Sequence, residues 1–111
     1  MNNLTLKNAQ DIVENWVSNP DFTVKYFPPF EMIGQLTEEV GEVSREIAHL
    51  HGHKKKKLGE KTDGLKSELG DVLFALICIA NSEGISLEEA FRDSMFKKTG
   101  RDSERFLKKN D

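Results

Sequence analysis

The chain has 111 residues, with 16 Lys and Arg against 19 Asp and Glu, a net charge of −3 at neutral pH. That length fits one domain, while 37% apolar and 32% charged residues make it leaner and more charged than an average globular domain. These figures argue against a large private core and, with so little net charge, against a general nucleic-acid binder; a helical chain that shares apolar surface with a copy of itself fits better. The longest apolar run, Val72 to Ala80, is nine residues, about half of what a bilayer needs. The N-terminal stretch MNNLTLKNAQ has neither a basic n-region nor an apolar h-region. The single cysteine, Cys78, cannot form an internal disulfide. Together these point to a soluble, cytoplasmic protein without membrane partners.

Helix signals dominate in chain order. Leu6, Ala9, Ile12, Val13, Trp16 and Val17 recur three and four residues apart, predicting a first helix over 6–18 that Asn19-Pro20-Asp21 stops. An aromatic connector follows, with Phe22, Tyr26, Phe27 and Phe30 around Pro28-Pro29. Within this region Trp16 and Phe30 read as core residues. The second helix is predicted from Pro28 or Pro29, where a missing N–H costs nothing, to about Leu50. Its seam of Ile33, Leu36, Val40, Val43, Ile47 and Leu50 has heptad spacing.

Residues 51–64 are lysine-rich, glycine-punctuated and without period, and read as a mobile, solvated loop. His49-x-His51-x-His53 at its edge lacks the acids or cysteines that would complete a metal site. A third helix over 65–81 is apolar almost all round, which predicts a buried central helix. Ser82-Glu83-Gly84 ends it, and Ser86-Leu87-Glu88-Glu89 reads as a capping box that starts a fourth helix. That helix is predicted to reach about Lys98, with Gly100 as a left-handed cap and a charged tail over 101–111. Four helices with no strand pattern predict an all-α, four-helix bundle completed by homodimerisation, as a dimer or a dimer of dimers.

Two pentapeptides bear the chemistry: Glu39-Val40-Gly41-Glu42-Val43 on the second helix and Glu68-Leu69-Gly70-Asp71-Val72 on the third. Residues three apart lie roughly 60° from each other around a helix, so each pair offers two carboxylates on one face. Antiparallel packing would let all four converge beside an apolar groove. Like charges there oppose one another's ionisation, and Arg45 and Lys66 are the only cations nearby. A divalent ion is the natural counter-charge, and all-oxygen ligation suits Mg²⁺ or Mn²⁺ better than Zn²⁺. Glycine inside a helix costs about 1 kcal/mol against Ala, so Gly41 and Gly70 suggest that a helix or ligand approaches closely at the acids.

The ordered set Leu36-Thr-Glu38-Glu39-Val-Gly41-Glu42-Val and Glu68-Leu-Gly70-Asp71-Val-Leu-Phe resembles the signature of the MazG-like, all-α nucleoside triphosphate pyrophosphohydrolases. The likeness continues through Leu76–Asn81, Ile85–Phe91 and Lys97…Arg101-Asp102…Arg105-Phe106, from about residue 30 to 106 of a single domain over 1–111. It implies Mg²⁺-dependent cleavage of a (d)NTP to monophosphate and pyrophosphate, as in housecleaning of the nucleotide pool. By the same resemblance, Glu39, Glu42, Glu68 and Asp71 are metal ligands, while Glu38 and Glu39 are catalytic. Among Lys97, Lys98, Arg101 and Arg105, it points to Lys97 and Arg101 as the phosphate contacts. Phe27 and His49 are the candidates for a base pocket. Phosphoribosyl-ATP pyrophosphohydrolase shares this metal chemistry, and a non-catalytic metal-binding dimerisation module is the alternative from another class.

Overall fold

A computed structural model describes residues 3–52 and 64–100. Among them there are four helices and no strand: α1 (Leu6–Val17), α2 (Pro29–His51), α3 (Gly64–Ser82) and α4 (Leu87–Thr99). Each boundary falls within one residue of its sequence-based position. Most of the lysine-rich stretch, and the tail with Arg101 and Arg105, lie outside the described residues. No single described helix is long and apolar enough to cross a membrane.

The helix ends follow local chemistry. Thr5 opens α1 with a full capping box: its hydroxyl accepts from the Asn8 N–H (3.0 Å), and its own N–H donates to Asn8 Oδ1 (3.3 Å). Pro29 occupies the first turn of α2, where no intrahelical N–H is needed. Of the box predicted at α4, the Ser86 half forms, its hydroxyl accepting from Glu89 N–H at 3.2 Å. Gly84 (φ 69°) takes the left-handed conformation that turns the chain after α3. Gly100, expected to do likewise after α4, does not: its φ is −96°, and its N–H simply continues the helical pattern to the Phe96 carbonyl.

α2 and α3 form an antiparallel hairpin; α1 lies on α3, and α4 packs on α1 after a 106° change of direction from α3. The core is small, as the composition implies. Val13 and Val17 of α1 meet Ile77 of α3, with Ala9, Tyr26, Cys78 and Leu87 packed around them. The seam of α2 divides into two rows. Leu36, Val43 and Leu50 are half-buried, whereas Ile33, Val40 and Ile47 stay exposed. α3 is likewise covered on one side only, through Ala75, Ile77 and Ala80, while Leu69, Leu73 and Leu76 face outward. Within one chain it is therefore not the buried central helix that its composition predicts, because among the described residues its main packing partners are α1 and α2.

A polar network fixes the connector between α1 and α2. Gln10 Nε2 donates to Asn81 Oδ1 and to the Ile85 carbonyl, both at 2.8 Å, and Gln10 Oε1 accepts from Leu87 N–H (2.9 Å). Asn81 Nδ2 donates to the Gln10 carbonyl (3.0 Å) and to the Tyr26 hydroxyl (2.9 Å). That hydroxyl donates to Glu14 Oε1 (2.7 Å), and Glu14 also pairs with Lys25. Lys25 and then Tyr26 hold the Glu14 carboxyl below its ordinary range. Burial, followed by the bond to Glu14, pushes the Tyr26 phenol up to about 12.

Candidate active site

Three carboxylates meet where α2 faces α3. Glu39, Glu68 and Asp71 each offer an oxygen within 4.8 Å of the others. Glu68 and Asp71 stand three apart on α3, so one helical turn brings both to the same face, and the antiparallel partner helix adds Glu39. The Glu68 carboxyl is pushed above the ordinary carboxylate range by desolvation first. A hydrogen bond with Glu39 and the charges of Asp71, Glu39 and Glu42 add to the shift. A site that resists its own ionisation is one that a cation would relieve.

The fourth predicted ligand, Glu42, is not part of this triad. Its carboxylate accepts from Arg45 Nη1 at 3.3 Å, an i,i+3 pair along α2, although its charge still acts on Glu68. Glu38 faces solvent beside the triad. Gly41 and Gly70 do not mark a close approach within this chain: a Cβ built at either would meet nothing within 4 Å. Lys97 and Lys98 lie in the last turn of α4; Lys98 Nζ donates to Ser94 Oγ (3.0 Å). Among the described residues neither lysine pairs with the acids.

One turn from the triad lies a cavity of about 470 Å³, walled by Trp16, Phe22, Phe27, Gln35, Phe74 and Cys78 among others. Gln35 precedes Glu39 by four residues on α2, and Phe74 follows Asp71 by three on α3, so both continue the acid face toward the connector. Trp16 stacks edge-on with Phe22 (centroids 5.1 Å apart, 75°) and with Phe74 (5.9 Å, 72°). Burial raises the Cys78 thiol above its ordinary value. Phe27 belongs to this wall; His49 does not, and its Nδ1 instead meets Glu46 Oε2 at 3.3 Å.

Two aromatic assignments are corrected here. Phe30, read as core, is 89% exposed at the open first turn of α2, and Trp16, also read as core, is 56% exposed because it borders the cavity. Periodicity identified Trp16 as part of the apolar face of α1, but the residue meets α3 through the ring of Phe74 and otherwise borders the cavity, so it stays half open. Gln35 was not singled out from sequence. Its signal was available, since projecting the acid face one turn back from Glu39 lands on it.

The profile of the MazG nucleotide pyrophosphohydrolase domain matches residues 27–106. The YpjD protein of Bacillus subtilis is 42% identical over 111 residues, covering all of this chain and 98% of its own length. Its crystal structure superposes with a TM-score of 0.78 at 44% identity, covering 87% of this chain and 97% of that one. The crystal structure of the Bacillus-conserved MazG protein, a nucleotide pyrophosphohydrolase, gives a TM-score of 0.72 at 39% identity, covering 87% and 91%. Sequence, helical architecture and the acid triad thus agree on a hydrolase, and the chain belongs to the MazG nucleotide pyrophosphohydrolase family.

Proposed function

We propose that the protein hydrolyses nucleoside triphosphates to monophosphate and pyrophosphate, using Mg²⁺ held by Glu39, Glu68 and Asp71, with Glu42 lending charge from beside them. The observation that carries this reading is the triad itself: three carboxyl groups within 4.8 Å of one another, one of them resisting ionisation, and no lysine or arginine between them among the described residues. An all-oxygen donor set of this kind fits a hard ion such as Mg²⁺, with Mn²⁺ as a substitute. When bound, the ion would supply positive charge to the phosphate oxygens and help acidify or orient water.

The chain's own residues account for the rest. Water attacks the α-phosphorus, the bond from that phosphorus to the bridging oxygen of the β-phosphate breaks, and pyrophosphate leaves. Glu38, one residue from the triad and open to solvent, positions that water and takes up its proton. Lys97 and Arg101 are the proposed contacts to the outgoing phosphates; Arg101 lies outside the described residues. The exposed rows Ile33–Val40–Ile47 and Leu69–Leu73–Leu76 support a homodimer, since uncovered apolar rows on two adjacent helices ask for a partner surface. The cellular role that goes with this chemistry is removal of unwanted nucleotides in the cytoplasm.

The test is pyrophosphate release across a panel of canonical and modified (d)NTPs with Mg²⁺. Release should be abolished by a chelator and should fall by more than about 100-fold in Glu39→Gln, beyond the range expected for residues that merely support a ligand. A wild-type protein that binds Mg²⁺ and nucleotide yet never releases pyrophosphate would overturn the proposal.

A further inference from the structure

The row of α2 that faces α3 carries two acids a heptad apart. Leu36, Val43 and Leu50 are half-buried there, and Glu39 and Glu46 lie half-buried between them. Seven residues return to within about 20° around a helix and move about 10.5 Å along it. Glu39 belongs to the triad, whereas Glu46, two turns further on, has a different companion. Its Oε2 lies 3.3 Å from Nδ1 of His49, and the Glu46 and His49 side chains are only 14% and 29% exposed.

A carboxylate at Nδ1 fixes the tautomer: that nitrogen carries the hydrogen, and Nε2 is left for another partner. No other bond to this ring occurs among the described residues. Side chains on a helix lean toward its N-terminus, so the imidazole reaches back from position 49 toward the acids.

An α-phosphate at the triad sends its nucleoside one way along α2 and its remaining phosphates the other. The apolar cavity lies on the Gln35 side of Glu39, which is no place for a polyanion. The outer phosphates therefore run toward the C-terminal end of α2. Of the basic groups described on that stretch, Arg45 pairs with Glu42, and Lys66 and His51 stand exposed. His49 is the one held part-buried by a partner, and a donor fixed in advance loses less freedom when it binds.

We infer that His49 contacts the terminal phosphate, Nε2–H donating to a γ-phosphate oxygen, and that Glu46 is a positioning residue that holds the ring for it. A histidine between a carboxylate and a phosphate carries a hydrogen on each nitrogen and donates to both. The inference rests on the pyrophosphohydrolase reading above and adds a phosphate count to it. A diphosphate held at the triad ends one phosphate short of His49.

Two amides separate this role from a structural one. The side-chain nitrogen of Asn takes the place of Nδ1, and that of Gln the place of Nε2. His49→Asn thus keeps the bond to Glu46 and loses the outward donor, whereas His49→Gln keeps the outward donor. The probes are the α,β-methylene analogues of dUTP and dUDP, which cannot be split between those phosphates. Their affinities are measured by calorimetry with Mg²⁺.

The ratio of triphosphate to diphosphate affinity cancels changes at the metal and at the nucleoside. Wild type should favour the triphosphate, and His49→Asn should lower the ratio about tenfold, the worth of one hydrogen bond to a charged group. His49→Gln should restore most of it, and Glu46→Ala should lower it with His49 in place. A wild type that binds both analogues equally would overturn the inference. So would a His49→Asn that weakens both alike or neither, and a ratio that His49→Gln fails to restore would return the pair to a structural role. Absence of pyrophosphate release from every triphosphate would instead remove the catalytic reading, while the affinity ratio would still report on His49.

Discussion

The acid groove between α2 and α3 and the polar network around Asn81 use similar side chains to opposite ends. In the network every donor meets an acceptor: Gln10, Asn81, Tyr26 and Glu14 close a chain of bonds that ends on Lys25. In the groove three acceptors of like charge crowd together, and among the described residues they are relieved only by a hydrogen bond between Glu68 and Glu39. A satisfied network holds structure and has no vacancy for a ligand, whereas an unsatisfied one is costly until something from outside completes it. The two regions sit at different distances from chemistry for this reason.

Exchanging one residue in each region gives the largest contrast. Glu68→Gln should lower pyrophosphate release by more than about 100-fold, yet raise the melting temperature of the metal-free protein, because it removes repulsion. Asn81→Ala should do the reverse. With Gln10 and Tyr26 left short of partners, stability should fall by about 2 kcal/mol, while activity per folded molecule changes by less than tenfold. Parallel activity assays and thermal melts check both; a stabilising Asn81→Ala, or a Glu68→Gln that melts early, would break the comparison.

The two regions also titrate in different windows. Glu68 is an acid whose folded value lies above its unfolded one. Its contribution is therefore fully present below the ordinary carboxylate range and is lost as pH rises through its raised value. Metal-free protein should lose stability over that span, and Mg²⁺, which binds the ionised form, should restore more of it at pH 8 than at pH 5. Tyr26 obeys the same sign at higher pH. The network should hold up to about 10 and weaken as pH approaches its value of about 12, and Tyr26→Phe should flatten that last decline. Melting curves against pH, with and without Mg²⁺, measure both.

The smallest effect belongs to Gly41. A methyl group there meets nothing within the chain, so Gly41→Ala should stabilise an uncovered α2 by about 1 kcal/mol, or about 4–8 °C in a domain of this size. Should a second copy seat its backbone on this face, the same substitution would instead weaken association, which sedimentation would register.

The helices were legible because their signals are local: spacing of three and four, proline at 20 and 28–29, glycine at 84. The acids were legible because the pairs Glu39–Glu42 and Glu68–Asp71 repeat that spacing on two helices. Pairing between distant residues was not. Whether Glu42 turns to the groove or to Arg45 is a rotamer choice within one turn of α2, beyond what spacing specifies. The cavity needs Trp16 beside Phe74, and the network joins Gln10 to Asn81 across 71 positions, contacts that no local pattern encodes. Phe30 shows the converse error, for an apolar residue at helical spacing says which side is oily but not whether anything covers it.

The bend at Gly84 has a further bearing on how such a protein would be governed. By turning α4 away from α3 through 106° and onto α1, it leaves the acid triad of α2 and α3 without an ion pair to Lys97 or Lys98 among the described residues. A polyphosphate at the acids, even with Lys97 and Arg101 as its proposed contacts, would then take much of its compensating charge from divalent ions drawn from the surrounding solution. Throughput would follow the local supply of free divalent ions, making turnover a gauge of ionic conditions as much as of substrate.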